Sequence, residues 1–149
     1  MEATLATAQD AELVLKLYDL RREATMRRAR KWLTVEFNPQ SFDELAAVMR
    51  GWGTEENAWF RQVTSYWEMA ATFVLHGALN GDLFLDCNGE PLYIYAKFRP
   101  FLSEARGLNP NFLMHTERLV QESHAAQARV EAISKTLETR RAEAAKAGS

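Results

Sequence analysis

Five polar residues recur at intervals of three or four positions between residues 61 and 76: Arg61, Ser65, Glu68, Thr72 and His76. On a helix this spacing places them in one stripe, where neighbours touch. A carboxylate among hydroxyls, an imidazole and a guanidinium can serve as a base or as an anchor for a cationic group. The same stripe is also what the solvent edge of an otherwise buried helix looks like. Trp32, Trp52, Trp59 and Trp67 crowd into the same region, interleaved with Phe37, Phe42, Phe60, Tyr66 and Phe73. Such rings either fill a core or line a pocket for a flat or aliphatic ligand. Trp52 stands between two glycines, so it is expected in a loop, where an exposed ring hints at a partner surface. The candidate binding residues are therefore Arg61, Ser65, Glu68, Thr72, His76, Trp52 and Trp67.

Other chemistries find no support in the spacing. The histidines are His76, His115 and His124, and neither Glu-x-x-His nor His-Glu-x-x-His occurs. No metal site and no cofactor are expected. There is no Gly-x-Ser-x-Gly elbow and no phosphate-binding Gly-rich loop, and no catalytic residue is assigned. Asn80-Gly81-Asp82 is too short for a calcium loop. Arg21, Arg22, Arg27, Arg28, Arg30 and Lys31 could contact phosphates. However, Asp10, Glu12, Asp19 and Glu23 share their segment, and Asp43, Glu44, Glu55 and Glu56 are expected to pair with them. A net charge of −2 and an isoelectric point near 5.9 argue against a nucleic-acid partner.

These residues must be positioned by helices. The 149 residues, 47% hydrophobic and 26% charged, suit a single domain over 1–149. Cys87 has no second cysteine to pair with. The first residues carry no basic segment followed by an apolar run, and no stretch approaches the ~18 apolar residues of a membrane helix. A cytoplasmic, non-membrane protein is expected.

Leu13, Leu17, Leu20 and Ala24 predict a first helix over residues 8–35, stopped by Asn38-Pro39. Ser41 and Glu44 suggest a capping box for a short second helix. Thr54 caps a central helix over about 54–77, ending at Gly77, with an apolar face covering well over half its circumference. Residues 82–95 admit two readings. Leu83-Phe84-Leu85 and Leu92-Tyr93-Ile94-Tyr95 around Asn88-Gly89 form a hairpin pattern. A short helix from Asp82 to Cys87 followed by a second from Pro91 is preferred, because two isolated strands make a marginal hairpin. Pro100 should then kink the second helix. A last helix starts at Asn109-Pro110. Phe112, Thr116, Leu119, Ser123, Ala126, Val130, Ile133 and Leu137 follow at alternating intervals of four and three, an unbroken heptad seam. The rod would be about 50 Å long. Residues 142–149 should fray.

Tyr66-Trp67-Glu68, Gly77, Asp82-Leu83-Phe84, Gly89, Tyr93, Lys97, Pro100 and Arg106 form a pattern over about residues 12–120. It resembles a family of small bacterial helical proteins known only as a domain of unknown function. The resemblance implies helices over 82–105 and assigns no catalytic residue.

The expectation is an all-α single-domain bundle of five or six helices with a long heptad-patterned C-terminal helix. Val130, Ile133 and Leu137 at its outer half would need a partner chain if they project beyond the domain, which makes them a candidate dimer interface. The expected role is a non-enzymatic protein-interaction or dimerisation module, with a homodimer as the closed solution. The alternative is a small-molecule sensor with an aromatic pocket beside Glu68.

Overall fold

The computed structural model describes residues 4–148. Among them there is helix and no strand. The helices are α1 (Ala8–Arg21), α2 (Ala24–Lys31), α3 (Phe42–Arg50), α4 (Glu55–Leu75), α5 (Gly81–Cys87), α6 (Glu90–Phe98), α7 (Leu102–Leu108), α8 (Met114–Gln121) and α9 (His124–Ala147). A π-helical turn, Trp32–Glu36, extends α2, and a 3-10 turn, Arg99–Phe101, joins α6 to α7. The helices are thus shorter and more numerous than the five or six expected.

The helix α4 is central. Thr54 Oγ1 accepts from Asn57 N at its start, and Gly77, with φ +77°, follows its end. The left-handed backbone there is the conformation glycine tolerates best. Trp59, Phe60, Val63, Trp67, Ala70 and Ala71 are buried, packed against α2 on one side and α8 on another. The buried side chains form one contiguous cluster. Rings interlock through it: Phe60 lies 5.7 Å from both Phe98 and Phe112, and Trp32 lies 5.9 Å from Trp59.

The single first helix over 8–35 is replaced by α1, α2 and the π-turn. The Glu23 carboxylate accepts from Thr25 N at 3.0 Å and Met26 N at 2.9 Å, starting a new helix. The break lets α2 bury Met26 and Ala29 against α4, while α1 buries only Leu17. In the π-turn, Phe37 N donates to Trp32 O at 2.8 Å, a span of five residues.

Residues 82–95 are helical, with no hairpin. Asn80 caps α5 through Leu83 N at 2.9 Å. Buried Asn88 closes the turn by donating to Phe84 O at 3.0 Å and accepting from Arg21 Nη1 at 3.0 Å. Pro100 interrupts the helix as expected, at the 3-10 turn.

The long last helix is likewise divided. Residues 109–113 form turns, with Leu113 left-handed at φ 53°, and Ser123 Oγ accepts from Ala126 N at 3.1 Å to start α9. The seam residues still face inward, on two helices instead of one. Val130 and Leu137 are 1% and 7% exposed within the single chain, and Ile133 is half-buried. The proposed dimer interface at Val130, Ile133 and Leu137 is therefore corrected: α6 and α8 cover this face of α9 internally. The segment expected to fray from residue 142 continues α9 to Ala147; Ser149 lies outside the described residues.

Candidate functional site

The polar stripe of α4 does not converge on a pocket. Glu68 caps α8: its carboxylate accepts from His115 N at 3.0 Å, Thr116 N at 2.8 Å and Thr116 Oγ1. His115 Nδ1 lies 3.3 Å from Glu68 Oε1. A carboxylate at a helix N-terminus satisfies orphan N–H groups and meets the positive end of the helix dipole. The other stripe residues serve α4 itself. Thr72 Oγ1 donates to Glu68 O at 2.7 Å, Ser65 Oγ to Gln62 O at 3.3 Å, and His76 ends the helix. Arg61 Nε donates to Asn57 Oδ1 at 2.9 Å, and its guanidinium stacks 4.5 Å above the Trp52 ring. Trp52 is 71% exposed, as its glycine-flanked position predicts. Trp67 is buried and donates its indole N–H to Glu90 at 3.0 Å, so it is no ligand contact. The aromatic pocket beside Glu68 is thus replaced by a packed core.

The concave space lies elsewhere. A cleft of about 430 Å³ opens between the π-turn, the segment 38–40, α6 and α9. Val35, Pro39, Leu137 and Ala144 give it apolar walls, and Thr34, Asn38, Gln40, Tyr93, Lys97, Arg140 and Arg141 give it polar ones. The π-turn shapes one wall. Three of its carbonyls are engaged by side chains: Leu33 O accepts from Lys97 Nζ at 2.7 Å, Thr34 O from the Tyr93 hydroxyl at 3.1 Å, and Val35 O from Asn38 Nδ2 at 2.9 Å. Wide turns of this kind redirect backbone groups and recur at functional sites.

Lys97 is 2% exposed and forms no ion pair among the described residues. Burial, reinforced by the neighbouring Arg141 guanidinium, pushes its ammonium down to about 8. Arg141 is fixed by donating to Lys97 O at 2.9 Å and by lying 5.6 Å over the Phe101 ring. Arg140 on the next position is exposed. Among the described residues no carboxylate lines the cleft.

At Thr34 and Val35 the cleft adjoins a shallow depression lined by Ala24, Arg27, Arg28, Arg30, Lys31 and Glu90. That depression shares Arg27 and Arg30 with a third, beside Tyr18 and Arg22. The arginines do not pair with Asp43, Glu44, Glu55 or Glu56 as expected. Arg28 instead pairs with Glu36 at 2.7 Å and Arg30 with Glu90 at 2.8 Å. The two depressions are thus rich in arginine but also hold Asp19, Glu23 and Glu90, and Arg27 and Lys31 are the cations nearest the cleft that no acid pairs among the described residues.

Sequence reasoning overlooked Tyr93, Lys97, Arg140 and Arg141 as site residues. A signal was present: Lys97 interrupts the apolar run Leu92-Tyr93-Ile94-Tyr95-Ala96 before Phe98, on the same helix face as Tyr93 four residues earlier. A lysine on a buried helix demands a partner. The π-turn left no comparable signal.

The chain is thus all-helical among the described residues, with a central aromatic helix. Residues 6–123 match the domain of unknown function DUF4760, and the chain belongs to that family. No match was found among curated proteins or among solved structures. The match includes Tyr93 and Lys97; Leu137, Arg140, Arg141 and Ala144 of the cleft lie on α9, beyond it.

Proposed function

We propose that this protein is a non-enzymatic module that binds a small molecule in the cleft between the π-turn, α6 and α9. The supporting observation is a concavity of about 430 Å³ with apolar walls and a few convergent polar groups. Ligand sites commonly have this size and composition. The location differs from the pocket beside Glu68 that the sequence suggested.

A thermal-shift screen tests the reading, because a ligand at about 100 times its Kd adds about 2.7 kcal/mol of stability. Ala144 is exposed on the outer wall, so Ala144→Trp should fill the cleft without disturbing the core. Shifts seen with the parent chain should vanish in this variant. Shifts that persist in full, or a screen without any, would refute the cleft as the site.

A second reading, protein interaction including a homodimer, is favoured by Trp52. Its ring is 71% exposed and held on one face by Arg61, an arrangement suited to an anchor residue at an interface. Sedimentation of the parent chain and of Trp52→Ser across a concentration range tests it: a monomer at every concentration counts against the homodimer. A cytoplasmic location belongs to the same proposal.

A further inference from the structure

We infer that the ligand of the cleft is a compact organic anion: a carboxylate or phosphate group carried on a short apolar body. This inference rests on the cleft being a binding site, and it adds the chemistry of the occupant.

Lys97 carries a charge that no acid compensates among the described residues. Lys97 Nζ is buried with one carbonyl partner, Leu33 O, and with the Tyr93 ring 5.8 Å away. A buried ammonium is costly unless a negative group meets it. The charged group that acts on Lys97 is another cation, Arg141 of α9, and among the described residues no acid lines the cleft. The groups that meet Lys97 are thus the neutral Leu33 carbonyl of the π-turn, the Tyr93 ring of its own helix and the Arg141 guanidinium of α9, with exposed Arg140 on the same cleft wall. An oxyanion in the cleft would neutralise the pair, and the spare N–H groups of Arg141 suit a planar or tetrahedral oxyanion. Val35, Pro39, Leu137 and Ala144 give the rest of the ligand an apolar surface. Arg27 and Lys31 along the adjoining depression would raise the local anion concentration and speed capture.

The rival use of Lys97 is to cap the carbonyl end of the α2–π segment and nothing more. Calorimetry with defined probes separates the two. The probes are benzoate, hexanoate and phenyl phosphate, with benzamide and hexanamide as neutral counterparts and inorganic phosphate as the bare anion. The organic anions should bind, with the amides and inorganic phosphate about tenfold weaker or worse. Lys97→Met should cost about tenfold for the anions. Arg140→Glu, an exposed substitution that leaves the fold intact, should weaken them while sparing the amides. Bound anion should hold the proton on Lys97, so binding should take up protons near pH 8 and weaken as pH rises above it.

Amides that bind as well as their acids would overturn the anion inference and leave the cleft reading standing. A failure of every probe at millimolar concentration would overturn both. Inorganic phosphate binding as tightly as phenyl phosphate would overturn the apolar body. Anion binding that survives both Lys97→Met and Arg140→Glu would reduce Lys97 to a helix cap and overturn the assignment.

Discussion

Glu68 and Lys97 are two charged residues on core helices, and their surroundings give them opposite roles. The Glu68 carboxylate is consumed by backbone N–H groups at the first turn of α8. Hydrogen bonds to a charged group are worth about 1.5–3 kcal/mol, so Glu68→Gln should lower stability by about 2 kcal/mol in urea unfolding while leaving binding in the cleft unchanged. Lys97 has no such complement. Its folded-state value is depressed from 10.5 to about 8, so the unfolded chain holds more protons across that window. Stability therefore rises with pH from about 8 towards 10.5. Burial acts in the other direction on Tyr66 and Tyr95, raising both from 10 to about 12, with Glu117 adding to the shift at Tyr95. The folded chain keeps those protons after the unfolded chain has lost them, so stability falls as pH climbs above 10. Urea melts across alkaline pH should thus pass through a maximum near pH 10, after a gain of about 2 kcal/mol. In Lys97→Met the rise should disappear and the fall should remain; an unchanged rise would show that Lys97 is not its source.

At the level of elements, breaks that stand at the edge of an apolar pattern were legible and breaks that fall inside one were not. Thr54, Gly77 and Pro100 each restrict or cap the chain locally, and α4 and the end of α6 follow them. Glu23 caps α2 with a carboxylate, but in a segment full of charges it looked like one more member of a solvated face. Ser123 occupied a seam position, so the seam appeared continuous, although its hydroxyl starts a new helix. The π-turn at Trp32–Glu36 shifts the helical register by its span of five residues and leaves Val35 exposed, a change that a reading at the α-helical period does not anticipate. The candidate site suffered most, because the cleft is built from that turn together with α6 and α9, elements that no local spacing brings together. Glu68 and its neighbours were found as a stripe, but their partner proved to be the start of α8. Ser123→Ala should cost about 1 kcal/mol, and hydrogen exchange should quicken first in the opening turn of α9 while α8 stays protected. Uniform loss of protection through both helices would mean that they behave as one rod.

For the molecule as a whole, the decisive question is what covers α9. Its inner face meets α6 and α8, and polar clamps tie it down along its length: Arg129 donates to Leu85 O at 2.9 Å, Arg99 pairs with Glu131 at 2.7 Å, and Arg141 donates to Lys97 O at 2.9 Å. The heptad pattern that suggested a second chain is thus satisfied by the chain's own helices, because the break at Ser123 lets α9 turn back across α6. Burial of Val130 at 1% exposure makes the consequence measurable. If the face is internal, Val130→Ala removes core volume and should lower unfolding stability by about 2 kcal/mol. The sedimentation coefficient at fixed protein concentration should not move. If the face joined two chains, the same substitution would make apparent stability depend on protein concentration and would shift the molecule toward monomer. The clamps and the burial of Val130 and Leu137 favour the first outcome. Any self-association must then use another surface, of which exposed Trp52, remote in sequence from α9, is the one to mutate next.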